Sequence, residues 1–339
     1  MGGDDAPNMV VEGVEASLER LAQAKFLLFG DEAKLAPLLK LHPHAAAVSE
    51  IRHTDDIITN EEKASSALRS GRNSSMRLAI NAVGTGEAAG VISAGNTGAL
   101  MAMAKFVLKT LPGIDRPAIA TYYPTERGES VMLDLGANVD CDAANLVQFA
   151  VMGEVFARNV LGRKNPSIGI LNVGSENLKG NQSVKEAAAI LQESSLPIKF
   201  YGFIEGDDIG AGTVDVVVTD GFTGNIAIKT AEGTAKLFSG FLKHSLKESV
   251  MTRIGAFFAR NALKEFKMRV DPRRYNGAMF LGLNGICIKS HGGTDAVGFA
   301  NAIHVAVELI THSFNESIKE DYAKLSNHGP NLKKVVGAE

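Results

Sequence analysis

The feature of this sequence that most constrains its fold is a series of short apolar runs, each ending in glycine or in a polar, glycine-rich turn. The runs have the length of β-strands, and a helical pattern follows most of them. They lie at residues 26–30, 90–95, 131–136, 168–174, 198–202, 214–221 and 285–290. Apolar strands that alternate with helices indicate a mostly parallel sheet with helices on both faces. The sequence therefore predicts an α/β protein and leaves the strand order open.

The length of 339 residues suits about two domains or one large α/β domain. No internal repeat and no Ser/Gly-rich linker divides the chain, so we predict a single α/β domain over residues 1–339. Residues 237–274 depart from the strand–helix pattern and are predicted to form an amphipathic helical excursion within it.

Charge and cysteine content exclude several classes of protein. The 35 basic and 38 acidic residues give a formal net charge of −3, which argues against a protein that mainly coats nucleic acid. Cys141 and Cys287 are the only cysteines, too few for a disulfide framework or a four-cysteine zinc site. We therefore expect two reduced thiols, no metal site and no nucleic-acid partner.

Membrane-spanning and targeting signals are absent from the sequence pattern. A bilayer span needs about 20 consecutive apolar residues, whereas the apolar stretch 296–310 carries Asn301, His304 and Glu308 and is predicted to be a buried amphipathic helix. Residues 1–5 are acidic and glycine-rich, unlike a signal peptide. We therefore expect a cytosolic protein.

Three motifs of α/β enzymes are missing from the sequence. Gly84, Gly86 and Gly90 have the wrong spacing for a Rossmann fingerprint and precede a strand. No P-loop pattern occurs. Ser93 does not form the G-x-S-x-G elbow of α/β-hydrolases, because Val91 stands where that motif has glycine. A dinucleotide site, a P-loop NTPase and a serine nucleophile on an elbow are therefore disfavoured.

Polar turns at strand ends are the positive signal for function. Ligands of open α/β sheets bind at the carboxyl ends of strands, so we expect these turns to gather at one crevice. The first turn comprises Ser93, Ala94, Gly95, Asn96, Thr97 and Gly98. Its glycines allow a ligand to approach closely, and the helix N-terminus that follows attracts anions. A simple helix cap, which Asn and Thr also form, is the alternative.

Four further turns have a similar composition. They contain Asp134 with Asn138; Ser175 with Glu176 and Lys179; Asp220 with Thr223 and Asn225; and His291. Lys179 could neutralise a phosphate or form a solvated ion pair with Glu176. Asp134 could orient a cation or a donor group or serve as a cap, and His291 could be a catalyst or a packed or solvated histidine. Together the turns favour an enzyme that handles a small anion.

At these residues the sequence resembles a known family, the acyl carrier protein-dependent phosphate acyltransferases of bacterial phospholipid synthesis (the PlsX family). The matching segments follow the family's order at residues 1–7, 74–76, 91–99, 133–138, 174–176, 179–180, 220–225, 281–285 and 290–292. They cover nearly the whole chain. The family's pattern also has a short strand ahead of the Met-Gly-Gly-Asp turn at residues 1–4, and a proline where this chain has Ala64.

The resemblance implies that long-chain acyl–acyl carrier protein and inorganic phosphate give acyl phosphate and free carrier protein, an early step of phospholipid synthesis. It also implies a three-layer α/β/α fold shared with phosphotransacetylases and isopropylmalate dehydrogenases, a homodimer, no cofactor, and a membrane glycerol-3-phosphate acyltransferase that takes the product. The alternatives are an NAD(P)-dependent dehydrogenase acting on a hydroxy acid and a non-catalytic lipid-binding module.

This reaction needs positioning and oxyanion stabilisation more than a protein nucleophile, because phosphate itself is nucleophilic at neutral pH. The residues predicted to hold phosphate and the developing oxyanion are Ser93, Asn96, Thr97 and Lys179. The residues predicted to complete the binding turns are Gly95, Gly98, Asn138, Ser175, Thr223 and Asn225. The residues predicted to orient donors or to act as acid or base are Asp134, Glu176, Asp220 and His291.

The excursion at residues 237–274 combines an apolar ridge with positive charge. Apolar residues recur every four positions from 238 to 258, and residues 236–274 contain ten basic and three acidic residues, a net charge of +7. Such a helix binds anionic membranes, as the resemblance also implies. The membrane contacts would be Phe241, Ile254, Phe257 and Phe258. Packing in the core or at a dimer seam, and docking of the acidic carrier protein, are the alternatives.

Overall fold

The computed structural model describes residues 1–326 except residues 22, 195, 197 and 313. The strands are β1 Phe26–Gly30, β2 Ser49–His53, β3 Gly90–Ser93, β4 Ala118–Thr125, β5 Gly128–Leu133, β6 Ser167–Leu171, β7 Lys199–Ile204, β8 Val216–Val218, β9 Ala278–Leu281 and β10 Ile286–Lys289. The helices are α1 Asn8–Ser17, α2 Glu32–Leu41, α3 Pro43–Val48, α4 Ala64–Ser70, α5 Ser75–Gly84, α6 Thr97–Leu108, α7 Ala143–Val160, α8 Gln182–Glu193, α9 Gly206–Ala211, α10 Gly221–Lys247, α11 Val250–Phe258, α12 Arg260–Arg269, α13 Ala296–Thr311 and α14 Phe314–Ser326.

The α/β class is confirmed, and the main sheet is mixed. Its strand order is β3-β10-β9-β4-β5-β8-β6-β7. β3 is parallel to β10, and β5, β8, β6 and β7 are parallel to their neighbours in that series. β9 is antiparallel to β10 and β4, and β4 is antiparallel to β5. Hence β3, β10 and β4 run in one direction and the other five strands in the opposite direction.

Two strands outside the recognised apolar runs, β4 and β9, cause this reversal. β4 returns directly into β5 through the turn at Glu126 and Arg127, and β9 follows a short 3-10 helix at Pro272–Tyr275. β4 is not followed by a glycine-rich turn and a helix, and β9 is followed by a short loop into β10. The strand–helix pattern therefore does not reveal them, and the central pairs are antiparallel where it predicts parallel ones.

Helices cover both faces of the main sheet, because successive strand residues point to opposite faces. In β5, Val131 and Leu133 join a core with α7, α8, α13 and α14, whereas Met132 joins a second core with α5 and α6. The predicted three-layer arrangement is therefore present. The helix predicted at residues 296–310 is α13, which buries Phe299, Ile303 and several alanines.

β1 and β2 form a separate parallel pair that packs against α1, α2 and one side of α13. A cavity of about 1040 Å³ is lined by residues of β1 and of β3, among them Leu28 and Val91, and by Met76 and Ala79 of α5. β1 and β3 do not pair with one another. The cavity therefore lies where the small sheet meets the edge of the large one.

The segment at residues 237–274 comprises the second half of α10, α11, α12 and the 3-10 helix; we call it the arm. Neither α11 nor α12 buries a residue. Phe257 and Phe258 are 63% and 81% exposed, and Phe241 and Ile254 are exposed as well. Packing of this ridge in the core of the chain is therefore wrong for these helices.

Candidate functional site

The polar turns do not gather at one crevice but form two groups at opposite edges of the main sheet. The turns after β3 and β10 lie at one edge, and those after β5, β6 and β8 lie at the other. We call residues 93–98 and 289–294, with residues 1–4, the β3–β10 site. We call residues 134–138, 172–181 and 219–225 the β5–β8 group. The prediction of a single crevice is wrong because it assumes strands of one direction.

Three segments are bonded together in the β3–β10 site. The backbone N–H of Ser290 donates to the carbonyl of Ser93 at 2.9 Å, which joins the two turns. The N–H of Asp4 donates to the carbonyl of Gly292 at 2.9 Å. Gly2 lies so close to Gly95 that a Cβ added at Gly2 would be 2.5 Å from the Gly95 Cα. Glycine at position 2 thus allows the first turn to approach the turn after β3.

The turn after β3 both caps α6 and leaves polar groups for a ligand. Asn96 Oδ1 accepts from the N–H of Ala99 at 3.0 Å, and Asn96 Nδ2 donates to three carbonyls of residues 59–62. Ser93 Oγ accepts from the N–H of Gly95 at 3.2 Å. Thr97 begins the helix, and its hydroxyl has no partner within the described part of the chain. Asn96 is therefore a cap and a clamp, whereas Thr97 remains available for substrate.

Asn276, which the sequence analysis misses, holds the turn after β10 in place. Its Oδ1 accepts from the N–H of His291 at 2.8 Å, and its Nδ2 donates to Ser290 Oγ at 2.8 Å and to the Gly298 carbonyl at 2.7 Å. The N–H of Gly293 donates to His291 Nδ1 at 3.1 Å, which places the ring proton on Nε2. An asparagine before a glycine is typical of any turn, so the sequence offers no distinctive signal for it.

Lys289 is a second residue that the sequence analysis misses. Its Nζ donates to the carbonyl of Ala94 at 3.4 Å and to that of Ser290. Burial lowers the pKa of the Lys289 ammonium to about 8, and the negative charge of Asp4 opposes that decrease. The signal in the sequence is a lysine directly after the buried apolar residues 286–288 of β10.

In the β5–β8 group, Asp134 is fully buried and closes its own turn. Its oxygens accept from the backbone N–H groups of Ile119, Gly136, Ala137 and Asn138 and from Asn138 Nδ2, at 2.7–3.3 Å. Burial raises the pKa of the Asp134 carboxyl, and these donors oppose the rise. The carboxylate is thus saturated with donors from the protein.

The turn after β8 is bonded to the Asp134 turn. Asp220 caps α10 by accepting from the N–H of Thr223 at 2.8 Å and from its hydroxyl at 2.9 Å. Asn225 Nδ2 donates to the Leu135 carbonyl at 3.1 Å. The structure therefore brings Asp134, Asp220, Thr223 and Asn225 together as predicted, with their polar atoms already bonded to the protein.

Glu176 and Lys179 form an exposed ion pair, with 2.8 Å between Oε2 and Nζ. The ion pair lowers the pKa of Glu176 and raises that of Lys179. Asn172 Nδ2 closes the loop by donating to the carbonyls of Gly174 and Lys179, and Ser175 is exposed within it. The solvated Glu176–Lys179 ion pair, one of the two predicted uses of Lys179, is therefore present.

Neither cysteine has the properties of a nucleophile. The thiolate is the reactive form of cysteine, and burial raises the pKa of both Cys141 and Cys287 to about 12. Cys287 lies inside β10, in the core. Acyl transfer through either sulfur is therefore disfavoured.

Solved structures with a similar fold include a phosphotransacetylase and a branched-chain phosphotransacylase. A phosphotransacetylase from Streptococcus pyogenes has a TM-score of 0.59 and 17% sequence identity, with 88% of this chain and 91% of that chain covered. A branched-chain phosphotransacylase from Enterococcus faecalis has a TM-score of 0.55 and 15% identity, with 92% and 97% covered. At such identities the similarity shows a common fold.

Sequence comparison is more specific. The family model described as "Fatty acid synthesis protein" matches residues 1–317. The phosphate acyltransferase of Paramagnetospirillum magneticum is 63% identical over 325 residues, which covers 96% of this chain and 93% of that protein. Neither the dehydrogenase nor the lipid-binding alternative accounts for identity of this extent. The chain therefore belongs to the fatty acid synthesis protein family of phosphate acyltransferases.

Proposed function

We propose that this acyltransferase moves the acyl group of a long-chain acyl–acyl carrier protein to inorganic phosphate, an early step of bacterial phospholipid synthesis. The observation that carries the proposal is the β3–β10 site. There the free hydroxyl of Thr97, the first N–H groups of α6 and the Nε2–H of His291 lie on turns that are bonded to one another. Such donors bind an anion and stabilise an oxyanion without a protein nucleophile.

The chemistry balances without a redox step. A phosphate oxygen attacks the thioester carbonyl carbon, a C–O bond forms, and the C–S bond breaks. The electron pair leaves on sulfur, the thiolate then takes a proton from water, and the proton of hydrogen phosphate is released to water. A thiol has a pKa of about 8.5, so it departs with little help from an acid. Positioning and charge stabilisation are the main tasks of the site.

In this proposal the turn after β3 binds phosphate. Thr97 donates its hydroxyl and its N–H, and the exposed Gly98 donates its N–H. Asn96 keeps the start of α6 fixed, and the hydrogen bond from Gly95 to Ser93 Oγ holds the turn ahead of it. His291 donates from Nε2 to the thioester oxygen or to the leaving sulfur.

We propose that most residues of the β5–β8 group hold their turns in position and do not react with substrate. The residues that hold its two bonded turns are Asp134, Asn138, Asp220, Thr223 and Asn225. Ser175, Glu176 and Lys179 form an exposed loop at the same edge. Lys179 is the second candidate for the phosphate contact, as the alternative to the residues of the β3–β10 site.

The test is a turnover assay of the full chain with defined acyl–acyl carrier protein and inorganic phosphate. We expect phosphate-dependent release of the carrier thiol and an equal amount of acyl phosphate, detected by ³¹P NMR. NAD(P)H absorbance is followed in parallel with a hydroxy acid as substrate. Hydride transfer would support the dehydrogenase alternative, and acyl-chain binding without turnover would support the lipid-binding one.

We also propose that the protein is a cytoplasmic homodimer whose arm binds an anionic membrane surface. The exposed phenylalanines of α11 and the net charge of +7 over residues 236–274 support membrane contact. A search of the described residues finds no helix with the length and hydropathy of a membrane span. The proposed contact is peripheral. It would deliver acyl phosphate near a membrane glycerol-3-phosphate acyltransferase. A dimer seam and docking of the carrier protein are the competing uses of the arm.

A further inference from the structure

We propose that Lys289 is a further catalytic residue, whose ammonium binds the phosphate nucleophile in the β3–β10 site. The inference rests on the proposed function, because it names the charged group that holds phosphate in that site. It assigns this role to the strand lysine of the β3–β10 site instead of to Lys179.

Within the described part of the chain, the geometry leaves one N–H donor of Lys289 without a partner. An ammonium carries three N–H donors, and two of them are directed to the carbonyls of Ala94 and Ser290. Each carbonyl belongs to one of the two turns that form the site. No carboxylate of the described residues forms an ion pair with Lys289. The two carbonyls thus hold the ammonium in place, and its third N–H is available to a ligand.

The charge balance around Lys289 favours an anionic ligand. A partly buried cation without a counter-ion is costly in free energy, and the negative charge that acts on Lys289 is that of Asp4, without a hydrogen bond between them. A phosphate bound between the turns supplies the missing negative charge. Because the ammonium is already positioned, it needs no reorganisation when charge develops during attack.

Lys179 lacks these properties. It is exposed, its charge is paired with Glu176, and it lies at the opposite edge of the sheet from Thr97 and His291. An exposed ion pair contributes little to stability, because water screens the attraction between its charges. The two lysines therefore lie in different sites. Of the two, Lys289 is the one that lies in the same site as the N-terminus of α6.

The pH dependence of phosphate binding distinguishes the role of Lys289 from that of its neighbours. Since burial lowers the pKa of Lys289 to about 8, the ammonium is lost above that pH, and phosphate binding weakens with it. The other charged or titratable groups of these turns are Asp4, His291, the Arg273–Asp295 ion pair at the start of α13, and the α-amino group of Met1, whose pKa burial lowers to about 6. An arginine at position 289 stays charged throughout this range and leaves those groups unchanged.

The experiment compares Lys289→Met, Lys289→Arg and Lys179→Ala with the wild type and with a matched control, Lys199→Met, an exposed strand lysine of β7. The readouts are the KM for phosphate from thiol release, phosphate binding from ³¹P NMR line broadening, and thermal unfolding. We expect Lys289→Met to raise the KM and weaken binding about 10- to 100-fold and to unfold near the wild-type temperature. Lys199→Met should behave like wild type. Wild-type kcat/KM for phosphate should fall above pH 8, and that of Lys289→Arg should persist to higher pH.

The proposal is overturned if Lys289→Met keeps wild-type phosphate KM and binding, or if Lys179→Ala shows the loss instead. Should Lys289→Met fail to fold, the pH profile of Lys289→Arg decides, and a decline identical to wild type above pH 8 overturns the proposal. A wild-type chain that binds phosphate but makes no acyl phosphate contradicts the proposed function alone. Phosphate binding to the variants still tests Lys289 in that case.

Discussion

Asp134 and Asn96 show what atomic contacts add to predictions about single residues. Both are polar residues in turns that follow strands, and from the sequence both are predicted to take part in catalysis or binding. In the structure Asp134 accepts five donors, and Asn96 caps α6 and clamps residues 59–62. Thr97 and His291 keep polar atoms without a partner among the residues that the structure describes, and such atoms are the ones a substrate can satisfy.

The contact between the two turns of the β5–β8 group can be tested at Gly224. A Cβ at this position would lie 2.0 Å from the backbone oxygen of Asp134, and that oxygen cannot move without opening the Asp134 turn. We expect Gly224→Ala to lower the free energy of unfolding by about 3 kcal/mol, measured by urea denaturation. Gly233→Ala, in the same helix with nothing within 4 Å, should instead raise it by about 0.5–1 kcal/mol. Equal effects of the two substitutions would contradict the close contact.

The two cysteines lead to a prediction about the reaction path. With a pKa of about 12, both thiols stay protonated at neutral pH, so phosphate should attack the thioester directly. We expect no acylated protein when the reaction is quenched in acid during turnover and examined by intact-protein mass spectrometry. A covalent acyl adduct that appears and decays at the rate of turnover would refute direct attack.

At the scale of secondary-structure elements, the arm differs from the other helices in what its apolar residues contact. The apolar face of α13 is buried in two cores, whereas Ile254 and the phenylalanines of α11 face solvent. Exposed apolar patches of this kind mark interaction sites. The arm is therefore the element whose function depends on a surface outside the chain.

The membrane proposal for the arm is tested by co-sedimentation with vesicles of anionic and of neutral lipid. We expect Ile254→Glu, and the triple change of Lys243, Lys247 and Arg253 to Glu, to weaken binding to anionic vesicles. The triple variant should lose about 100-fold or more, because each basic residue near the surface contributes about 1 kcal/mol. Turnover with soluble acyl–acyl carrier protein should remain.

Two control variants lie outside the arm. Leu41→Glu removes an exposed apolar residue of α2, and Lys164→Glu reverses an exposed charge. Both should sediment like wild type. If the arm variants stay folded and active and also sediment like wild type, the arm is not a membrane-binding element. Loss of turnover with the carrier protein in the triple variant would favour carrier docking, and a change from dimer to monomer would favour a dimer seam.

For the whole molecule, the sequence predicts the layers but not the direction of the strands. Buried runs such as residues 168–171 match strands covered on both faces, and the helix at 296–310 is present. β4 is joined to β5 by a tight turn and β9 follows a 3-10 helix, so neither strand fits the alternation of strands and helices from which the sheet is predicted. Their antiparallel pairing separates turns that look equivalent in sequence. The direction of a strand in the sheet depends on which strands it pairs with in the folded chain, and a local sequence pattern does not encode that pairing.

The candidate site is predictable to a similar extent. The turn at residues 93–98 and His291 are recognisable from glycine and polar composition, and the structure bonds their turns together. Lys289 and Asn276 act through carbonyls and amides of residues distant in sequence. A single lysine at a strand end and an asparagine before glycine have many ordinary uses, so only their long-range contacts distinguish them.

The cavity beside β1 and β3 makes the protein sensitive to hydrostatic pressure. The cavity of about 1040 Å³ is lined by apolar residues such as Leu28 and Val91 and by charged ones such as Glu50 and Arg52, and it is partly open to solvent. Pressure favours the state of smaller volume, and only the part of the cavity that water leaves empty adds to the volume lost on unfolding. We expect an unfolding volume change within the usual range of about −20 to −100 mL/mol, measured by tyrosine fluorescence under pressure. Ala79→Leu, which adds volume at the cavity wall, should make that change smaller. The junction of the small sheet and the large one is thus the place where compression is expected to act on this molecule.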